Sequence, residues 1–217
     1  MLSNITSILI NVPITLIALS VHEFSHGYVS SKLGDPTPKY QGRLTLNPSA
    51  HLDLMGTLLM IFTGFGWAKP VEINPTYYKN RERGMALTAA AGPLSNFVLA
   101  FLGMLIGMIL MLIFDNMGVR GNAISWVSVI TSIFVQRNLC FMVFNLIPFP
   151  PLDGFKIFGM LMPRRMYYNI LRYEHYIMYI LMFLCIFGVF SSIIGTGVGF
   201  VYNFIFDAVL NIVGLFV

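Results

Sequence analysis

Residues 12–26 read Val12-Pro-Ile-Thr-Leu-Ile-Ala-Leu-Ser-Val-His22-Glu23-Phe24-Ser25-His26. An apolar helical stretch runs without a break into two imidazoles and a carboxylate. Ionisable groups are costly inside a bilayer unless they face one another, water or a ligand, so this junction governs the reading of everything around it. Outward from it, 57% of the 217 residues are apolar and only 10% are charged, more hydrophobic surface than one soluble core of this size can hide. The chain is therefore expected to be a multi-pass membrane protein with the lipid bilayer as its solvent. Its apolar start, Leu2 to Val21, lacks a positively charged leader and a small-residue cleavage site, and is expected to be a retained helix.

Four stretches have the length and apolarity of spans: 3–28, 85–113, 123–148 and 175–195. A fifth, 199–217, carries Asn203, Asp207 and Asn211 at four-residue spacing, a stripe that suits either a cavity-lining span or a helix lying in the interface. Residues 52–66 are apolar too, but a helix of that length covers only ~22 Å of a hydrocarbon layer ~30 Å thick, so it is expected to enter without crossing. Charge agrees. Eleven of the thirteen Lys and Arg fall in 29–84 and 149–173, and both segments reach the cytoplasmic side only if 52–66 turns back. Tyr40 to Pro48 alternates polar and apolar residues and ends at a proline, which predicts a short strand; Trp67 to Pro75 offers a second.

The fold class that follows is an all-α multi-pass membrane protein. A three-span core is joined by one or two C-terminal helices, with a small β element and a short non-crossing helix between the first two core spans. With no linker or internal repeat, 1–217 is expected to be a single transmembrane unit, core 1–160 and C-terminal helices 161–217. The basic surplus belongs to the membrane face, and no stacking platform or basic helix points to nucleic acid. Cys140 and Cys185 lie in apolar stretches and are expected to be small buried hydrophobes.

His22 to His26 is an H-E-x-x-H on a helix, so both imidazoles share a face and can reach one metal ion, with Glu23 beside them. Zinc takes two His and a carboxylate, keeps a position for water, and leaves a nearby glutamate to accept that water's proton. The third ligand must lie near the cytoplasmic end of another span. Asp153 qualifies if 52–66 does not cross, since it follows the third span in Asn145-Leu-Ile-Pro-Phe-Pro-Pro-Leu-Asp-Gly154, where three prolines preclude a regular helix. Asp53, two residues after His51, is the second candidate. Arg137, flanked by Gln136 and Asn138 inside the third span, needs a counter-charge or water that the sequence does not name.

Together these residues resemble the site-2 protease family of intramembrane zinc metalloproteases, over about residues 10–160. The family's motifs stand in order as His22 to His26, Gly92-Pro-Leu-Ser-Asn96, and Asn145 to Gly154. The resemblance implies a three-span catalytic core and one zinc ion held by His22, His26 and Asp153. It implies cleavage of protein substrates in or near their transmembrane helices, and roles for Asn96 and Asn145 in substrate handling. Read on its own, Asn96 could equally be a helix-packing contact. The short form resembles the minimal prokaryotic branch.

The expected activity is that of an intramembrane zinc metalloendopeptidase in the cell membrane, its active site toward the cytoplasm. Glu23 is the expected base, and an unwound substrate segment is expected to pair with the strand around Gly42 to Leu46, at Gly42 and Leu44. Two other classes place His and carboxylates in a membrane: a metal or proton transporter, which needs a ligand path to the far side, and an idle adaptor tied together by its metal.

Overall fold

A computed structural model describes residues 2–63 and 66–215. Residues 64–65 of the stretch 52–66, and 216–217 at the end of 199–217, lie outside the described residues. Those described form α1 (Leu2–Lys32), α2 (Thr37–Tyr40), α3 (Leu54–Thr63), α4 (Arg81–Asn116), α5 (Asn122–Asn145), α6 (Asp153–Gly159), α7 (Arg164–Leu171), α8 (Glu174–Ile186) and α9 (Ser191–Val213). Four helices, α1 from Ile8, α4, α5 and α9, are long and apolar enough to cross a membrane.

Small residues bring the first two spans close. Ala18 of α1 and Ala86, Ala89, Ala91 and Gly92 of α4 are all buried, as expected where helices associate by backbone approach in lipid, where apolar burial offers little. Further along α4, a Cβ on Gly103 would sit 2.5 Å from the Phe134 ring, and one on Gly107 would collide with Thr131, so α5 packs onto a glycine seam. Beyond it Ala100, Met104, Val135, Leu139, Ile205, Val209 and Val213 close an apolar cluster of α4, α5 and α9.

The end of α1 and the start of α4 lie at the same end of the bundle. Ser30 Oγ is 2.7 Å from the Tyr78 hydroxyl, and Tyr78 is 3.1 Å from Thr88 Oγ1. The connection between them therefore leaves and returns on one side, and α3, ten residues or ~15 Å long, is too short to cross. Asp53 Oδ1 accepts from the Gly56 amide and so caps α3.

Two expectations need correction. The stretch 175–195 is not one span: α8 has thirteen residues, ~20 Å, and stops where Gly188 takes φ 71°, a conformation that favours glycine. The fourth helix long and apolar enough to cross is α9, which overlaps 199–217 and starts earlier, at Ser191. Ile205, Val209 and Val213 face the bundle, whereas Asn203, Asp207 and Asn211 are exposed on the other side. A Cβ on Gly197 would lie 2.8 Å from Val143, near the C-terminal end of α5, so α9 runs antiparallel to α5.

The small β element is the other. Among the described residues there is no strand, only one isolated bridge pairing Leu52 with Ala68. The segment after Gly42 folds on itself: the Arg43 guanidinium donates to the Ala50 carbonyl, and His51 Nε2 lies 2.8 Å from the Thr45 carbonyl. Asn47 caps a 3-10 turn over Pro48–Ala50. A ladder needs a partner, and three of the amides of 67–75 are spent elsewhere. Lys69 N–H goes to the His51 carbonyl, Val71 N–H to Glu23 Oε2 and Asn74 N–H to Asp35 Oδ2.

Candidate metal centre

His22 and His26 occupy one face of α1, four residues apart, and the acceptors behind them fix their chemistry. His22 Nδ1 is 2.6 Å from Asn96 Oδ1, and His26 Nδ1 is 2.7 Å from the Thr88 carbonyl. The Asn96 amide cannot be turned over, because its Nδ2 donates to the Ala18 carbonyl at 3.2 Å and to Asn138 Oδ1 at 3.0 Å, and a carbonyl only accepts. Asn138 is fixed in turn by donating to the Phe134 carbonyl. Each imidazole therefore carries a proton on Nδ1, so in the neutral ring it is the Nε2 lone pair that faces forward.

Asp153 arrives from the far part of the chain. α5 stops at Asn145 ahead of Pro148, Pro150 and Pro151, and α6 opens at Asp153 itself. Gly154 allows the chain to double back, since a Cβ there would collide with the Leu146 carbonyl. Asp153 Oδ2 then lies 3.2 Å from His22 Nε2 and 3.1 Å from His26 Nε2, and those two nitrogens are 3.0 Å apart. All three residues are at most 9% exposed, and Asp153 Oδ2 is buried without a hydrogen bond.

Three lone-pair acceptors facing one another in a buried site repel strongly unless a cation sits among them. Their separations approach the ~3.3 Å edge of a tetrahedron with ~2.0–2.1 Å bonds, and the two-His, one-carboxylate donor set is one that zinc favours. The residues fit a single divalent ion. Gly92 leaves the room: a Cβ on it would lie 2.5 Å from His26 Nε2 and 2.6 Å from His22 Nε2.

Glu23 stands on the next position of α1, half-buried, within electrostatic reach of His26, and its Oε2 accepts from the Val71 amide at 3.0 Å. Asn96 is fully buried behind His22 and does not line an open surface. Asn145 closes α5, its Nδ2 donating to the Phe141 carbonyl at 3.0 Å. Gly42 is exposed with φ 67°, and the Leu44 side chain lies 3.3 Å from where a Cβ on Gly27 would stand. Asp53, the alternative ligand, is engaged at the start of α3.

One partner escaped the sequence. Asp35 is fully buried and accepts from Thr37 N–H, Asn74 N–H and Ser30 Oγ. Burial alone would raise its pKa, but the bonds from Thr37, Asn74 and Ser30 outweigh that and hold the carboxyl below its ordinary range. The chain continues from Ser30 to Tyr78 and Thr88, so Asp35 braces the residue that holds His26. An Asp-Pro-Thr after a helix end reads as a turn, and that is the signal it gave.

Comparison with known proteins bears on the same residues. Over 150 residues the chain is 42% identical to "Putative zinc metalloprotease YwhC" of Bacillus subtilis (strain 168), covering 68% of this chain and 67% of that protein. Over 145 residues it is 33% identical to "Putative zinc metalloprotease Rip2" of Mycobacterium tuberculosis, covering 64% of this chain and 52% of that one. The Rip2 of Mycolicibacterium smegmatis matches the same extent at 30% identity. No family model and no solved structure matches the chain. An identity of that size over two thirds of both proteins, on a chain whose three motifs already pointed there, places it in the site-2 protease family of zinc metalloproteases.

Proposed function

We propose that the chain hydrolyses peptide bonds in or near transmembrane segments of membrane proteins, with one zinc ion held by His22, His26 and Asp153. The observation that carries this reading is the convergence of two bare imidazole nitrogens and an orphaned carboxylate oxygen, drawn from α1 and α6, at 3.0–3.2 Å. Bound zinc supplies Lewis acidity, which lowers the pKa of a coordinated water toward neutrality and polarises the scissile carbonyl.

The chain's own residues do the rest. Glu23 takes the proton of the attacking water and later gives it to the leaving amine. The Val71 amide holds one of its oxygens, leaving the other for the proton. Asn96 and the Thr88 carbonyl keep both imidazoles in the ligating tautomer, so Asn96 serves His22 in place of the substrate. Asn145 spends one amide hydrogen on Phe141 and keeps the second for the developing oxyanion. An unwound substrate segment laid along Gly42 to Leu44 lies beside Gly27, one residue beyond His26, which supports that place for it. The basic residues of 29–84 and 149–173 support a centre opening toward the cytoplasm.

Glu23→Gln tests the base directly. The purified variant is expected to retain about one zinc per chain while cleavage of a single-span substrate falls by at least ~100-fold, a large general-base contribution. Wild-type turnover in that variant removes Glu23 from the mechanism. Zinc retained by His22→Ala and Asp153→Ala removes the ligand set.

A further inference from the structure

Arg137 takes no part in the centre described above. It lies in α5 eight residues before the helix ends at Asn145, ~12 Å along the axis. Its guanidinium donates from Nε and Nη2 to a single acceptor, Asn11 Oδ1, at 3.1 and 2.9 Å. Five N–H groups are available on a guanidinium, and among the described residues no carboxylate takes the others. The same side chain lines a cavity of about 330 Å³ with Asn11, Cys140, Phe141, Phe144 and Cys185, and among the described residues no acidic one is on its wall. The helix that carries Arg137 also reaches the metal centre: Asn138, the next residue of α5, accepts from Asn96, which holds His22.

We propose that this cavity receives an aspartate or glutamate side chain carried on the substrate's transmembrane segment, with Arg137 as its counter-charge and Phe141 and Phe144 as its apolar walls. The inference rests on the protease reading above. Charge complementarity argues for an acid, because a cation at that depth with only an amide for company is expensive. Depth argues for a substrate side chain over a lipid headgroup. Helical side chains lean toward the N-terminus, which on α5 carries the guanidinium further from the inner end and up to Asn11. A phosphate at headgroup level is then more than ~12 Å away. Asn11 precedes His22 by eleven residues, ~16 Å along α1, so the acid belongs about three helical turns from the scissile bond, on the side of the centre facing the middle of the bilayer.

The test uses the zinc-loaded full chain in liposomes and synthetic Leu/Ala single-span peptides bearing one Asp or one Asn at successive positions. An Asp about three turns from the cut is expected to raise kcat/KM by about tenfold over Asn, through KM. Arg137→Gln is expected to bring the Asp peptide down to the Asn rate, and Arg137→Glu to transfer the preference to a Lys peptide. Equal rates for Asp and Asn peptides at every position overturn the proposal, as does an anionic lipid that copurifies one-to-one with wild type but not with Arg137→Gln. Occupancy is read separately in Glu23→Gln, where a peptide cysteine next to the Asp is expected to crosslink to Cys140 or Cys185 unless Arg137 is replaced. Crosslinking without wild-type cleavage sinks the protease reading and keeps the site. Cleavage without charge dependence does the reverse.

Discussion

His22 is held from behind by an amide that is itself held from two sides, and that arrangement makes Asn96 more than a packing residue. Removing it leaves the imidazole free to choose the wrong tautomer. Asn96→Ala is expected to weaken zinc binding by about 10–100-fold in a chelator competition, the usual effect of losing such a partner. Gly92 tests the complementary requirement, that nothing stand between α4 and the two Nε2 atoms. Gly92→Ala places a methyl 2.5 Å from His26 Nε2, so the purified variant is expected to hold well under one zinc per chain while eluting at the wild-type position. Full zinc loading of Gly92→Ala would show that the imidazoles approach from elsewhere.

The connection between α1 and α4 is held down by buried polar groups in place of a sheet, and Asp35 is its main anchor, tying Asn74, Thr37 and Ser30. Its pKa in the fold lies below the free value of 3.8. The unfolded chain therefore binds the proton more readily in the window between the two. Its contribution to stability is complete above pH 3.8 and is lost as pH falls through the native pKa. Melting of the detergent-solubilised protein is expected to drop with pH in that window, and Asp35→Asn to flatten that part of the curve while lowering stability at neutral pH. An unchanged acid limb in Asp35→Asn would assign the effect to another carboxylate. By contrast the Arg164–Glu82 pair is 83% and 51% exposed and contributes only ~0–1 kcal/mol, while Tyr167 of α7 stacks on Phe155 of α6.

Four spans with the centre near one end make a prediction for the whole molecule. In a background with Cys140 and Cys185 replaced by serine, single cysteines at Lys79 and Arg165 are expected to react only from the cytoplasm. One at Met117 is expected to react only from outside, as read by an impermeant maleimide on intact cells. Single cysteines at Lys39 and Lys79, which flank α3, labelled from opposite sides would mean that the segment around α3 crosses. The apolar runs, the H-E-x-x-H and the proline-broken Asn145 to Gly154 were legible in the chain because each is a local pattern: length against bilayer thickness, spacing against helical pitch, proline against the hydrogen-bond ladder. The break at Gly188 was also written there, but hydropathy averaged over a window runs across a single glycine. The strand over Tyr40–Pro48 failed because alternation says only that a strand is tolerated, and three amides of the segment that would have paired with it go to Glu23, Asp35 and His51. Sequence alone determined which residues were suited to hold a metal ion. That Asp153 meets them at 3.1–3.2 Å, that Asn96 backs His22 and that Asp35 braces Thr88 were decided by the tertiary structure. Each of these joins parts of the chain that only helix packing brings together, and the small residues at the α1–α4 seam set how closely they meet.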